Sequence, residues 1–175
     1  MALADELKTR RRVDYPFFLS YRTRWSVSLC ISLERHFTFC CIHRSDNDQY
    51  VHINNSIYYH LFDSIVNTYL VEYCGLTPPS SPLIGLVVSS YCHFFSPLSF
   101  PSMLDLGLRV VKLGKSSVTY EVGVFEEGIN TPSAVGGYTH VFVENQSRKS
   151  ATMDSRIRAG LQRLRSSIPL PQAKL

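Results

Sequence analysis

Ile53, Ile57, Leu61, Ile65 and Tyr69 recur every four residues, and Tyr58, Phe62, Val66, Leu70 and Tyr73 widen them into a broad apolar stripe. At 3.6 residues per turn such a stripe stays on one side of an α-helix, and its width calls for a helix buried against a sheet. Asn54 or Asn55 can cap its start, and Gly75 can end it in a left-handed conformation. A helix this apolar constrains the rest of the chain, because other segments must supply the surface that buries it.

Those segments are legible as strands. Before the helix, Leu19, Tyr21, Thr23 and Trp25 alternate with Ser20, Arg22 and Arg24, after an approach segment that begins at Asp14. Beyond the loop Thr77–Pro82 come four stretches rich in β-formers: Leu83–Phe95, Leu104–Leu113, Ser117–Phe125 and Ala134–Val143. Pro97 and Pro101, Gly114-Lys115, and the run from Glu127 to Pro132 break them apart. Asp154–Leu164 resumes a helical pattern through Ile157, Leu161 and Leu164. One strand, one long helix and four antiparallel strands make an α+β domain with the helix laid across one sheet. Such a helix covers one face only, so edge strands and the other face are expected to need a partner, which makes the chain a homo-oligomer.

The chain has 175 residues, enough for one well-buried core and too few for two ordinary domains. We read residues 1–13 as a polar tail, 14–165 as a single domain and 166–175 as a C-terminal tail. No apolar run approaches the ~20 residues of a membrane-spanning helix, and the N-terminus lacks the apolar stretch of a secretory signal. Five cysteines without paired spacing suit a reducing compartment. A net charge of +4 is modest, and no basic stripe interleaved with aromatics points to nucleic acid. The basic residues read either as a solvated face or as attraction for an anionic ligand.

Chemistry concentrates just before the helix, in Asp46-Asn-Asp48. Carboxylates at a helix start can simply cap it and complement its dipole. A calcium loop is excluded: the EF-hand pattern would put Tyr50 at its fifth position, Val51 at its obligatory glycine and Ile57 at its final glutamate. Nothing defines the carboxylate separation that glycoside hydrolysis requires. His60, His93 and His140 show no ligand spacing, and no metal site is expected.

The run from Asp46 to Asp63, Asp-Asn-Asp-x-Tyr-x-His-x-Asn-Asn-x-x-Tyr-x-x-x-Phe-Asp, resembles the signature of hotdog-fold thioesterases of the 4-hydroxybenzoyl-CoA thioesterase type. That family usually reads Asp-x-Asp-x-x-Gly-His-Val-Asn-Asn, followed by Tyr and an acidic residue on the central helix. The strands resemble it too, through Leu83–Tyr91, Phe94–Leu98, Leu104–Val110 and Lys115–Phe125, so the likeness covers residues 14–25 and 45–165. It implies a long central helix wrapped by a five-stranded antiparallel sheet, a homodimer or homotetramer, and hydrolysis of acyl-CoA thioesters without a cofactor. Asp48 matches the catalytic carboxylate, acting as nucleophile or as general base for water. The N–H of Val51 takes the place of the oxyanion donor, with His52, Asn54 and Asn55 shaping the pocket. Valine departs from the family's glycine, which admits close approach and unusual dihedrals.

Asp63 is a second carboxylate, since some relatives carry their catalytic acid on this helix. Fifteen residues separate it from Asp48, roughly 20 Å along a regular helix, too far for the two to act as a pair within one chain. Lys112, Lys115, Arg148 and Lys149 are candidates for gripping the phosphates of coenzyme A. Two alternatives stay beside hydrolysis: a hydratase or dehydratase, and a non-catalytic acyl-binding or assembly protein.

Residues 26–44 interrupt the likeness, because relatives run directly from the first strand into Ser-Asp-Asn-Asp. We read them as a retained intron or gene-model error; the rival is a hairpin extension in which Val27, Leu29, Ile31 and Leu33 alternate. His36, Cys40, Cys41 and His43 lie there, but adjacent cysteines are not zinc spacing. The C-terminal Ala173, Lys174 and Leu175 form a close variant of the Ser-Lys-Leu address read by the peroxisomal import receptor. A peroxisomal location is therefore expected, with the cytoplasm as alternative.

Overall fold

The apolar stripe needs an apolar wall, and the strands build it. The computed structural model describes residues 3–22 and 46–165. The interrupting segment 26–44 and the C-terminal Ala173, Lys174 and Leu175 lie outside the described residues. In chain order come α1 (Leu3–Lys8), a 3-10 turn (Arg12–Asp14), β1 (Phe17–Arg22), α2 (Asn55–Cys74), β2 (Leu83–Phe94), β3 (Met103–Leu113), β4 (Ser117–Glu126), β5 (Ala134–Glu144) and α3 (Ser155–Arg163). The strands form one antiparallel sheet in the order β1-β3-β4-β5-β2. This is the expected α+β arrangement, a long helix packed on a five-stranded antiparallel sheet.

Helix α2 runs 20 residues, starts at the Asn54 cap and stops where Gly75 turns left-handed at φ 71°. Leu61, Phe62, Ile65, Val66 and Tyr69 are wholly buried against Leu104, Leu106 and Leu108 of β3 and Tyr120, Val122 and Val124 of β4. Phe17 of β1 adds edge-to-face contacts with Tyr69 and Tyr73. Amphipathic α3 closes one end of this layer, its buried Ile157 and Leu161 joining the same core.

The other face of the sheet is not left bare. Residues 1–13, expected as a polar tail, contain α1 with Leu7 buried, and the chain after it lays Tyr15 across the outer face. Gly107 and Gly123, paired in the β3–β4 ladder, leave room for the Tyr15 ring, since a Cβ on either would come within 2.7 Å of it. The sequence pattern could not reveal this, because the covering segment is itself charged. One buried carboxylate anchors it: Glu121 accepts from Arg10 Nε at 3.0 Å, Arg109 Nε at 2.9 Å and Tyr15 hydroxyl at 3.1 Å. Burial first, and then the Glu121 charge, push the Tyr15 hydroxyl far above its usual range, so it stays protonated and donates.

On the helix side, His140 is buried among Tyr120, Tyr138 and Phe142, and its Nδ1 has no partner. Burial holds its imidazole down to about 4, so it is a neutral core residue.

Two stability outcomes follow. Glu121→Ala strands two guanidinium groups that are 19% and 25% exposed, and urea unfolding should register a loss of about 3 kcal/mol, the lower end for a broken buried pair. For His140 the folded value of about 4 lies below the reference 6.5, so the unfolded chain takes the proton first. Its contribution is present above pH 6.5 and is lost as pH falls towards 4, by up to about 3 kcal/mol. Comparing urea midpoints at neutral pH and near the lower limit should show a shallower acid slope in His140→Phe; an unchanged slope would rule His140 out as its source.

Candidate functional site

The segment before α2 folds back on itself as a miniature hairpin, with Asn47 bridging Ile53. Asp48 holds it together. Its N–H donates to the His52 carbonyl at 2.7 Å, while its Oδ1 accepts from the N–H of Tyr50 at 2.8 Å and of His52 at 3.1 Å. The N–H of Asn54 donates to the Asp46 carbonyl at 2.8 Å, and the N–H of Ile53 to the Leu98 carbonyl at 2.7 Å. The loop is thereby tied both to the helix start and to the segment leaving β2. Capping of α2 falls to Asn54, whose Oδ1 accepts from the Ser56 N–H at 3.0 Å, not to Asp48. The second oxygen of Asp48 accepts no hydrogen bond among the described residues.

Val51 sits at φ 68°, in the left-handed region that a β-branched residue seldom enters. Glycine at this place in the family pattern is explained by that dihedral. The Val51 N–H, the expected oxyanion donor, is already engaged with the Asp48 carbonyl at 3.2 Å. The open donor is one turn on. Asn55 is the first residue of α2, and its N–H has no acceptor among the described residues. Helix N-termini carry such unsatisfied donors together with the positive end of the helix dipole.

Asp48, His52, Ile53, Asn55, Tyr58, Phe94, Phe95, Ser96, Pro97 and Leu98 line a cleft of about 310 Å³. Three expected site residues, Asp48, His52 and Asn55, thus come together; Asn54 stays behind the cleft as the cap, and Val51 is part of the loop but not of its lining. The aromatic wall was missed as a functional element. The sequence marks Tyr58 as part of the helical stripe and of the family motif, and Phe94–Leu98 as a strand exit, without placing either in a site. Tyr58 packs edge-to-face on Phe94, with ring centres 4.9 Å apart. Burial, and secondarily Cys92, raises its hydroxyl to about 12, so it remains protonated. Burial likewise raises the Cys92 thiol to about 12, which removes it as a thiolate nucleophile at neutral pH.

Asp63 lies elsewhere. It is exposed on α2 outside this cleft, and its charge acts on Tyr138, whose hydroxyl is raised mainly by burial. The four basic candidates are remote too. Phe94 pairs with Ala134 at one end of β2, whereas Leu83 pairs with Glu144 at the other. Lys115, Arg148 and Lys149 belong to the Leu83 end, roughly 30–40 Å from the Phe94 end along a strand of 12 residues, whereas Lys112 stands mid-sheet, level with Ser89 through Thr119 and Thr139 and roughly 17 Å from the level of Phe94. Among the described residues, no group of three or more His, Cys, Asp or Glu is placed to hold a metal ion, and no helix is long and apolar enough to cross a membrane.

Comparison with known proteins bears on this arrangement. Residues 50–133 match the family model of the thioesterase superfamily. The crystal structure of the PA5185 protein from Pseudomonas aeruginosa is 41% identical, with a TM-score of 0.77 over 91% of this chain and 98% of that one. The SAV2348 protein from Staphylococcus aureus, solved in complex with CoA, is 13% identical with a TM-score of 0.68 over 89% of each chain. The BH1999 gentisyl-coenzyme A thioesterase is 18% identical, with a TM-score of 0.62 over 82% of this chain and 98% of that one. No curated protein matches the sequence. The last two structures share the fold, while the 41% identity along the PA5185 chain and the family match show the family: the chain belongs to the hotdog-type thioesterase superfamily.

Proposed function

We propose that this protein hydrolyses acyl-CoA thioesters to free acid and CoA, with Asp48 as the catalytic carboxylate. The observation that carries the reading is that Asp48, with an oxygen that accepts no hydrogen bond among the described residues, and Asn55, whose N–H has no acceptor among them, line one cleft with Ile53, Tyr58, Phe94 and Phe95. Asp48 acts on the thioester carbonyl either directly, as nucleophile, or by taking a proton from the attacking water. As oxygen adds to the carbonyl carbon, negative charge grows on the carbonyl oxygen. The Asn55 N–H and the positive end of α2 stabilise that charge. Collapse breaks the C–S bond: in the general-base route the free acid forms at once and the proton held by Asp48 passes to the CoA thiolate, whereas in the nucleophile route the thiolate takes a proton from water and a second water hydrolyses the mixed anhydride left on Asp48. The CoA class is supported by the CoA-bound Staphylococcus aureus neighbour and by the gentisyl-coenzyme A thioesterase.

We further propose that the active species is a homodimer joined through β2. This strand is an edge of the sheet, and Leu86, Val87 and Val88 along it are 40%, 51% and 60% exposed. A long apolar edge strand is a template for pairing with another copy.

Asp48→Asn is the informative test, because asparagine keeps the Oδ1 that accepts from Tyr50 and His52 and so preserves the loop. Thiol release from an acyl-CoA panel should fall at least about a hundredfold with thermal stability retained; undiminished release would remove Asp48 from the chemistry. For the dimer, light scattering should give twice the chain mass of 19.9 kDa, and Val88→Lys should shift it towards one chain. A wild-type protein of single-chain mass at micromolar concentration would contradict the pairing.

A further inference from the structure

The N-terminal segment holds four basic residues between Lys8 and Arg12, and they fall into two pairs. Arg10 and Arg12 are neutralised, by Glu121 and Glu6 in one case and by Asp105 at 2.7 Å in the other. Lys8 and Arg11 have no carboxylate partner among the described residues; Arg11 donates one nitrogen to the carbonyls of Thr9 and Arg10 and keeps the rest of its fork open. Both line a second cavity of about 580 Å³, together with Asp5, Thr9, Phe95, Ser96, Thr131 and Pro132. Phe95 and Ser96 also line the cleft of Asp48, so the two cavities share a wall.

We propose that Lys8 and Arg11 form the seat for the phosphate groups of the acyl-CoA substrate. The inference rests on the acyl-CoA reading above. In an acyl-CoA the pantetheine arm separates the thioester from the phosphates, so the anion belongs beside the catalytic cleft and not within it. The cavity across the Phe95–Ser96 wall meets that requirement, and its two free cations supply charge-assisted hydrogen bonds to phosphate. Asp5 opposes the anion but is outnumbered by two charges to one. Lys115, Arg148 and Lys149 lie at the other end of the sheet, and Lys112, level with Ser89, lines neither of the two cavities. The segment that seals the outer face of the sheet thus doubles as a substrate-binding element.

Two measurements test this, using the full chain and the double variant Lys8→Ala, Arg11→Ala. Both side chains are exposed and engage no carboxylate, so the fold is spared. The first is the preference in kcat/KM for an acyl-CoA over the matching acyl-pantetheine, which lacks the nucleotide. Loss of that preference by about tenfold through KM is expected for two solvated charge–phosphate pairs; an unchanged preference overturns the proposal. The second is calorimetric binding of free CoA, which does not need turnover. If wild type hydrolyses no thioester but binds CoA about tenfold more tightly than the variant, the seat stands and the hydrolytic reading falls. Equal CoA affinity in the two proteins overturns the seat whatever the activity.

Discussion

Leu61, Phe62, Ile65, Val66 and Tyr69 lose all their solvent contact between α2 and the sheet. Each such side chain contributes about 1.5–3 kcal/mol through the area removed from water. The axis and register of α2 are held by this burial, and with them the location of its first turn. The Asn54 cap, the free Asn55 N–H and the Asp48 loop all hang from that turn. The catalytic reading is therefore a consequence of core packing: a helix seated differently would aim its N-terminal donor elsewhere.

The outer face obeys a different logic. Apolar burial there centres on Leu7 and on the ring of Tyr15 with its neighbours Phe18 and Phe125, and ionic contacts complete the cover. Glu121 draws Arg10, Arg109 and Tyr15 to one point beneath the N-terminal segment. Pairing of this kind costs desolvation and adds little net stability compared with an apolar core, but it specifies where the segment lies. By consuming Arg10 and Arg12 it also determines which cations remain available to a ligand.

Around Asp48 a structural duty and a chemical one are divided between two oxygens. Oδ1 braces the backbone of residues 50–52, which lets a strained Val51 persist at φ 68°. A non-glycine residue in that region costs on the order of 1–2 kcal/mol, and the short hydrogen-bond circuit of the loop offsets it. The other oxygen accepts no hydrogen bond among the described residues, as the proposed chemistry requires. Glycine at position 51 would ease the backbone without adding a donor, because the Val51 N–H is turned into the loop.

Sequence alone determined the elements and their type. The four-residue apolar recurrence, the Asn54 and Gly75 boundaries and the turn residues between strands are local signals, and the ends of β2 to β5 lie within a residue of their expected places, whereas β1 begins at Phe17, two residues before the expected alternation. The Asp48 loop was legible because its residue types and spacing resemble a known motif. What depends on contacts between distant parts of the chain was decided only in three dimensions. A charged N-terminus carries no periodicity that announces Glu121 as its destination 111 residues away. Nothing in a helical stripe marks Tyr58 as lining a cleft with Phe94 and Phe95, which follow it by some thirty-six residues. Whether the donor is the N–H of Val51 or that of Asn55 depends on a backbone turn of one residue. The basic residues at 115 and 148–149 look as suitable for phosphate as Lys8 and Arg11 until the ladder register sets them at the far end of the sheet from Phe94.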